Sequence, residues 1–345
     1  MIDWATVEIP LNHTPIYGGE VISILPDGTQ EWSTPKRMQA VGSYEKKLSF
    51  RSVGGDGAGK ATHLWISGNP SKFLQGHNVF GSDDLVSLVA DTFAIIAKQF
   101  CLKPTLQEQH AIAIGDYQVN KVDINYSFDL PCRSDVLAFI RAMEFKAKTR
   151  HGRPSMKGGT LYFGDNRSPY WFIKLYCKAE EIETNRGALP IALQNLGIEQ
   201  WVENKLRIEL TLKRKQLRKL DVINAKDLSA VRVRELFNDY LRKLEMKEQI
   251  ALTSEQQMNL PHRLQSTYIL WREGRDLRNV LPRPTYYRHR KELLEHGIDI
   301  NLCQESLDRS NVVPLVKIIE AQPAVIPRFA YEKRLVHSSA NSSAA

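Results

Sequence analysis

Tyr176 is followed two positions later by Lys178, and this pair could supply a nucleophile and a cation. A phenol with a pKa near 10 is a poor nucleophile at neutral pH and needs a neighbouring cation or base. Alternate residues of a strand point to the same side of a sheet, so Lys174 and Phe172 share a face with this pair. The spacing predicts that Tyr176 and Lys178 act as catalytic residues, with Lys174 available to contact a phosphate.

Two other segments alternate in the same way. Along 122–129 the polar positions include Asp123, and along 206–213 they include Arg207 and Glu209. Asp123 and Glu209 are hard oxygen ligands suited to Mg²⁺ or Mn²⁺, and Arg207 could contact DNA. Together the faces offer what metal-assisted phosphoryl transfer needs. Each segment alone fits equally an amphipathic strand with one solvated face, and spacing does not make the three strands neighbours.

The elements that would position these residues indicate an α+β fold, a mainly antiparallel sheet with flanking helices. Helices are predicted from Ser82, as an N-cap, and over 134–148. A hairpin is predicted from 160–163 and 170–177 around Asp165-Asn166-Arg167. The other predicted strands are 21–25, 47–50, 63–67, 118–129 and 205–213.

Several residues allow competing interpretations. Tyr162 and Tyr170 are alternative nucleophiles, and Tyr170 has the same strand parity as Tyr176. His77 could contact DNA or a metal, or could only stabilise a tight turn. Lys157, beside Gly158-Gly159, could belong to a DNA-clamping loop or to an ordinary solvated loop.

The C-terminal third is helical and basic. A helix over 285–296, preceded by one near 262–274, predicts a helix-turn-helix-like DNA-binding region. Its amphipathic pattern is also that of an ordinary basic helix with a buried apolar side. We therefore predict three regions: a nicking domain (1–215), a helical basic region (216–310) and an extended or disordered tail (311–345). The DNA-contacting residues predicted in the helix are Tyr286, Tyr287, Arg288, Arg290 and Lys291.

The net charge of +8 over 345 residues favours a polyanionic partner. No stretch approaches the roughly 18 apolar residues of a membrane span, and the N-terminus lacks a signal-peptide pattern. The four cysteines are scattered, without a Cys-x-x-Cys pair. A cytoplasmic protein that contacts no membrane is the expectation.

A longer motif resembles a known family. Gly76-His-Asn-Val-Phe-Gly81 is similar to a segment of the filamentous-phage gene II replication initiators, the II/X family, as is the opening Met1-Ile2-Asp3. Leu175-Tyr176-Cys177-Lys178 resembles the family's Tyr-x-Lys motif, and Leu206-Arg207-Ile208-Glu209 its Arg-x-Glu strand. The resemblance covers about residues 1–215.

The resemblance implies rolling-circle initiation with Mg²⁺: Tyr176 cuts one strand of a duplex origin and holds its 5′ phosphate. The implied partners are origin DNA and the host replication helicase and polymerase. Lys121 stands before Val122-Asp123 where the family commonly has Arg, which loses the bidentate fork. The sequence contains no His-hydrophobic-His pair. A metal site must therefore use carboxylates such as Asp123 and Glu209, or the isolated His77.

Two other functions compete with the nickase. A non-catalytic DNA-binding regulator would use the basic helix and a sheet that only contacts phosphates. A tyrosine recombinase fits less well, because we find no Arg/His/Arg constellation around a tyrosine.

Overall fold

The computed structural model describes residues 1–148, 154–184, 188–246, 260–272, 277–295 and 322–337, together with residues 275, 298 and 300. Within these ranges the fold is α+β, as predicted. No helix in the described part of the chain is both long and apolar enough to cross a membrane.

A nine-stranded sheet, antiparallel at every pairing, organises the chain. Its strand order is β4-β5-β6-β1-β7-β12-β11-β10-β9. Two further pairs, β2 with β3 and β8 with β13, form separate two-stranded sheets. The strands are β1 (Ile2–His13), β2 (Glu20–Ile24), β3 (Gln30–Pro35), β4 (Met38–Val41), β5 (Lys47–Val53), β6 (Ala61–Gly68), β7 (Gln118–Asp129), β8 (Ala147–Lys148), β9 (Ser155–Lys157), β10 (Thr160–Phe163), β11 (Trp171–Cys177), β12 (Lys205–Lys213) and β13 (Glu245–Met246).

The central strands include the three that carry the predicted chemistry. β7 and β12 have the predicted bounds, and β10 and β11 form the predicted hairpin. Strand β1 was not predicted, although buried Val7, Ile9 and Leu11 alternate along it. It lies between β6 and β7 and brings the first residues of the chain to the middle of the sheet.

Helices cover the sheet. The helix α8 packs on the apolar face, where Phe237 lies 4.7 Å from Tyr126 and Tyr240 lies 4.9 Å from Trp171, measured between ring centroids. Burying one such side chain contributes about 1.5–3 kcal/mol. The helices are α1 (Pro70–Gln75), α2 (Leu85–Gln99), α3 (Leu106–Ile114), α4 (Arg133–Lys146), α5 (Lys178–Glu183), α6 (Ile198–Val202), α7 (Arg214–Lys219), α8 (Ala230–Arg242), α9 (His262–Arg272), α10 (Leu277–Val280), α11 (Arg283–Glu295) and α12 (Arg328–Glu332).

Two local predictions need correction. The helix predicted from Ser82 begins later, because the Asp84 carboxylate accepts the backbone N–H of Ser87 at 3.0 Å and caps α2. Lys178 was predicted on the Tyr176 strand but is the first residue of α5, so strand parity does not set its direction.

The helices α9, α10 and α11 pack around a second, smaller core. Leu264, Tyr268, Trp271, Tyr286 and Leu293 are among its buried members. These contacts confirm the predicted helices over their described residues. The predicted ends at residues 274 and 296–297 lie outside the described part. The packing does not by itself establish a helix-turn-helix unit.

Residues 322–337 depart from the predicted extended or disordered tail, because they carry α12 and pack on the sheet domain. The backbone N–H of Ala324 donates to the carbonyl of Ser127 at 2.7 Å, and Leu335 is 2% exposed. His337 Nε2 lies 2.8 Å from a carboxylate oxygen of Asp91 in α2. The remainder of the predicted tail, 311–321 and 338–345, lies outside the described residues.

Candidate active site

One face of the sheet carries four rows of side chains across β7, β12 and β11. The rows follow from the strand register, since directly paired residues point to the same side. Successive rows are two residues apart, or about 7 Å along the strands. In order they are Ser127–Arg207–Tyr176, Asn125–Glu209–Lys174, Asp123–Thr211–Phe172 and Lys121–Lys213–Tyr170, where the pairing of Tyr170 is marked by its carbonyl accepting the N–H of Lys213. The structure therefore makes neighbours of the three predicted strands.

Glu209 lies at the centre of these rows. One carboxylate oxygen accepts from the Lys174 ammonium, and the other accepts from the phenol of Tyr176 at 3.4 Å. Burial raises the pKa of Glu209 to about 7; Lys174 opposes this shift, and the nearby carboxylates of Asp123 and Asp3 reinforce it. Glu209 is thus a carboxylate that can take up a proton near neutral pH.

Tyr176 is 8% exposed, as part of the sheet's covered polar face. Burial, together with the charge of Glu209, raises the pKa of its phenol well above the ordinary value. The phenol is therefore protonated at neutral pH and acts as a hydrogen-bond donor. A DNA phosphate can reach its oxygen only if the groups that cover it move.

Asp123 and Lys174 complete the charged centre. Lys121 Nζ lies 2.9 Å from Oδ2 of Asp123, whereas the other oxygen, Oδ1, is buried with no hydrogen-bond partner among the described residues. Burial disfavours the Lys174 ammonium, but the carboxylates of Glu209 and Asp123 outweigh it and raise the pKa of Lys174. Lys174 is therefore a permanent cation beside Glu209.

Asp3 is a site residue that the spacing of polar residues did not reveal. Its Oδ1 accepts from Asn69 Nδ2 at 2.8 Å and from Asn78 Nδ2 at 2.9 Å. Its charge acts on Glu209, Lys174 and Tyr176. Recognising β1 would have placed Asp3 beside β7, because Trp4 pairs with Asp123.

The Gly-His-Asn segment holds the site together through Asn78. Gly76 ends α1 with φ of 85°, and a Cβ there would lie 2.4 Å from the Tyr44 ring. This conformation and this close approach require glycine. The Asn78 side chain donates to Asp3 and accepts from Lys178 Nζ at 3.0 Å. Asn78 is therefore the hub that joins the loop to β1 and α5.

Arg207 and Lys178 are buried supports of this loop. Arg207 is 0% exposed and donates to the carbonyls of Asn78 (3.2 Å) and Val79 (3.0 Å) and to Oδ1 of Asn125 (2.7 Å). The predicted contact of Arg207 with DNA has no exposed surface on which to form. Lys178 is also 0% exposed, and its ammonium binds Asn78 and Glu181. The cation paired with Glu209 is thus Lys174.

His77 is buried below the same loop at 2% exposure. Its Nδ1 accepts the N–H of Val79 at 3.2 Å, and its Nε2 has no side-chain partner in the described part of the chain. Burial lowers the pKa of His77 to about 4, opposed by a hydrogen bond with the Leu335 backbone and reinforced by Lys178, Arg207 and Lys72. The charged groups that act on His77 are thus mostly cations, which oppose a metal ion there.

The competing tyrosines occupy other positions on the face. Tyr162 pairs with Lys174 from β10, and its ring lies 6.4 Å from that of Phe172. Tyr170 is three rows, or about 20 Å, from Tyr176. Of the three, Tyr176 is the one placed against Glu209. Lys157 is exposed on the edge strand β9, where Gly158 and Gly159 form the turn to β10.

A metal site is not pre-assembled on this face. Among the described residues, no three His, Cys, Asp or Glu side chains are grouped so that they could hold an ion. Lys121 and Lys174 bind Asp123 and Glu209 instead. The unpartnered Oδ1 of Asp123, close in charge to Glu209 and Asp3, is the feature that fits a divalent cation.

The predicted DNA contacts of α11 separate into exposed and buried groups. Tyr287, Arg288 and Lys291 are exposed, and Arg290 is half-buried. Tyr286 is 4% exposed in the small core, so it stabilises the helices and offers little surface to DNA.

Comparison with known proteins assigns the chain to a class and then to relatives. Residues 1–240 match the N-terminal region, and residues 252–336 the C-terminal region, of the phage replication-associated protein encoded by gene II. The chain belongs to this family of replication-associated proteins, which confirms the resemblance to the phage gene II initiators. It is 44% identical over 329 residues to the replication-associated protein of this family from Enterobacteria phage I2-2, covering 95% of each chain. No solved structure matches the chain.

Proposed function

We propose that this protein initiates rolling-circle DNA replication by cutting one strand of a duplex origin with Tyr176. The observation that supports this function best is the hydrogen bond from the Tyr176 phenol to Glu209, beside Lys174 and Asp123. The family name and the net charge of +8 agree with a replication protein that acts on DNA.

In the proposed reaction the phenolic oxygen of Tyr176 attacks the scissile phosphorus and its proton passes to Glu209. The bond from phosphorus to the 3′ oxygen breaks, and that oxygen leaves as the 3′ hydroxyl after it gains a proton. The 5′ phosphate remains on Tyr176 as a phosphodiester. A later attack by a 3′ hydroxyl on this link rejoins the strand and returns the phenol.

The side chains divide the work. Lys174 lies in the row next to Tyr176 and would balance the charge of the phosphate, since cations stabilise phosphoryl transfer. Asp123, through its unpartnered oxygen, and Glu209 would hold Mg²⁺ or Mn²⁺, with Asp3 nearby. When bound, such an ion polarises the phosphate. Asn78, Arg207 and Lys178 position the loop and β1, whereas the cations around His77 disfavour it as a ligand.

The wider proposal concerns partners. Lys157 and the exposed Tyr287, Arg288 and Lys291, with Arg290 beside them, would contact origin DNA, the latter four through a helix-turn-helix-like region. The free 3′ hydroxyl would be extended by host polymerase behind the host replication helicase. The proposal implies a cytoplasmic site of action.

The test uses a supercoiled plasmid that carries the cognate origin, with purified protein and Mg²⁺ or Mn²⁺. We expect nicked circles with protein on the 5′ end, and mass spectrometry should find the nucleotide on Tyr176. Tyr176→Phe should abolish both products while origin binding persists. Tyr170→Phe and Tyr162→Phe are the matched controls and should still cut.

Two outcomes would contradict the proposal. Cutting by Tyr176→Phe would remove the nucleophile assignment. Salt-sensitive origin binding without cutting under either metal would instead support a non-catalytic DNA-binding regulator.

A further inference from the structure

A cavity of about 410 Å³ lies at the far end of β11 from Tyr176, between the β10–β11 loop and α7. Its lining includes Tyr170 and Trp171 from the start of β11, Gln216 and Lys219 from α7, and Asp165 from the loop. Small-molecule sites have this size and this mixture of aromatic surface with a few polar groups.

The polar groups of the cavity retain free bonding capacity. Tyr170 is half-buried, and the Lys219 ammonium lies 4.4 Å from its ring centroid. Within the described part of the chain, Lys219 has no carboxylate partner and the Gln216 amide makes no hydrogen bond. An aromatic ring beside a cation and an amide can stack a flat heterocycle and bond its edge.

A row of cations connects this cavity with the candidate active site. Lys213 pairs directly with Lys121 in the row that ends at Tyr170, and Lys174 lies two rows nearer Tyr176. Like charges placed opposite each other on a sheet are destabilising. Among the described residues, Lys213 Nζ donates only to a carbonyl, that of Asn166, so this pair suits a bridging phosphate.

We propose that this cavity binds one unstacked base of the single-stranded origin DNA, stacked on Tyr170 and bonded by Gln216 or Lys219, while Lys121 and Lys213 contact the intervening backbone. The inference rests on the proposed function, because it places the base on the strand whose phosphate faces Tyr176. The separation of about 20 Å between Tyr170 and Tyr176 sets the base several nucleotides from the cut. Tyr170 is then a specificity residue.

The experiment measures binding and does not depend on cutting. The probe is a fluorescein-labelled single strand covering the origin segment that the protein protects from nuclease digestion. Each base is replaced in turn by an abasic site, through about eight positions on either side of the segment's centre. Affinity for Tyr176→Phe is measured by fluorescence anisotropy, so that the DNA remains intact.

We expect one abasic position to weaken binding by about 5- to 100-fold, the range of a base stacked on an aromatic side chain. In Tyr176→Phe/Tyr170→Ala that position should lose its effect, whereas Tyr176→Phe/Tyr170→Phe should keep it. Lys219→Met provides a second test if Tyr170→Ala does not fold, and it should reduce the same position's effect. Arg218→Met, an exposed neighbour on α7, is the matched control.

The contrary results are distinct. Uniform weakening at every abasic position, or an effect that survives Tyr170→Ala and Lys219→Met, would overturn the base-binding cavity. A wild-type protein that shows the abasic effect but never cuts would overturn the proposed function and leave the cavity assignment intact.

Discussion

Glu209 joins two residues that the sequence places more than thirty positions away: its carboxylate accepts from the phenol of Tyr176 at 3.4 Å and from the ammonium of Lys174. The strand register fixes this arrangement, because Lys174 pairs directly with Glu209 and Tyr176 with Arg207. A proton acceptor and a permanent cation therefore flank the same phenol.

Replacing Glu209 by Gln should remove the proton acceptor while keeping the side chain's shape. We expect the single-turnover rate of origin cutting to fall by roughly 10²- to 10⁴-fold. Glu235→Gln on the exposed side of α8 is the control and should cut at the wild-type rate. Equal rates for wild type and Glu209→Gln would exclude a catalytic role for this carboxylate.

Asp123→Asn tests the proposed ion binding separately. The amide removes one anionic oxygen, so a higher concentration of Mg²⁺ or Mn²⁺ should be needed for half-maximal cutting. Raising the metal concentration should restore much of the rate in Asp123→Asn, but not in Glu209→Gln. A metal dependence identical to wild type would show that Asp123 is not a ligand.

Arg207→Met should destabilise the domain without altering an exposed surface. Two loop carbonyls and the Asn125 amide oxygen would lose a charged donor in a fully buried place. The expected loss is about 3 kcal/mol in the free energy of unfolding. Urea unfolding followed by tryptophan fluorescence measures it, and exposed Arg232→Met should change the result by less than about 0.5 kcal/mol. A normal stability for Arg207→Met would contradict the supporting role.

His77 predicts a dependence of stability on acid. Because its pKa falls from 6.5 when unfolded to about 4 when folded, the unfolded state binds a proton first as the pH drops. The stabilisation is complete above pH 6.5 and is lost as the pH falls towards 4. The loss attributable to His77 is about 3 kcal/mol.

His77→Asn keeps an acceptor for the Val79 N–H but does not titrate in this range. Its unfolding free energy, measured from pH 7.5 to 4, should decline less steeply than that of wild type. Parallel curves for the two proteins would contradict a neutral, buried His77.

Leu335→Ala tests the attachment of residues 322–337. Because Leu335 is 2% exposed against the main core, truncation should cost about 2–5 kcal/mol of stability. Exposed Leu294→Ala in α11 should have little effect on the same unfolding transition. A stability loss no larger than that of Leu294→Ala would show that the segment does not support the domain.

The sequence predicted the strands of the site because alternation along 122–129, 171–177 and 206–213 is strong and their residues favour strands. It could not supply the pairing, so it placed Lys178 on a strand and assigned Arg207 to DNA. Single-sequence patterns report which side chains share a face, but not which faces become covered. The buried hub at Asn78 and the contribution of Asp3 depend on contacts 75 and 100 positions apart along the chain.

The packing of residues 322–337 on the sheet also has a consequence during synthesis. Ala324 bonds to Ser127 of β7, and a backbone hydrogen bond from Leu335 reaches His77. A ribosome that has made the entire sheet must still translate more than a hundred codons before these contacts can form. A nascent chain therefore carries Tyr176 and Glu209 in a domain without its last support, and the finished scaffold exists only near the release of the polypeptide.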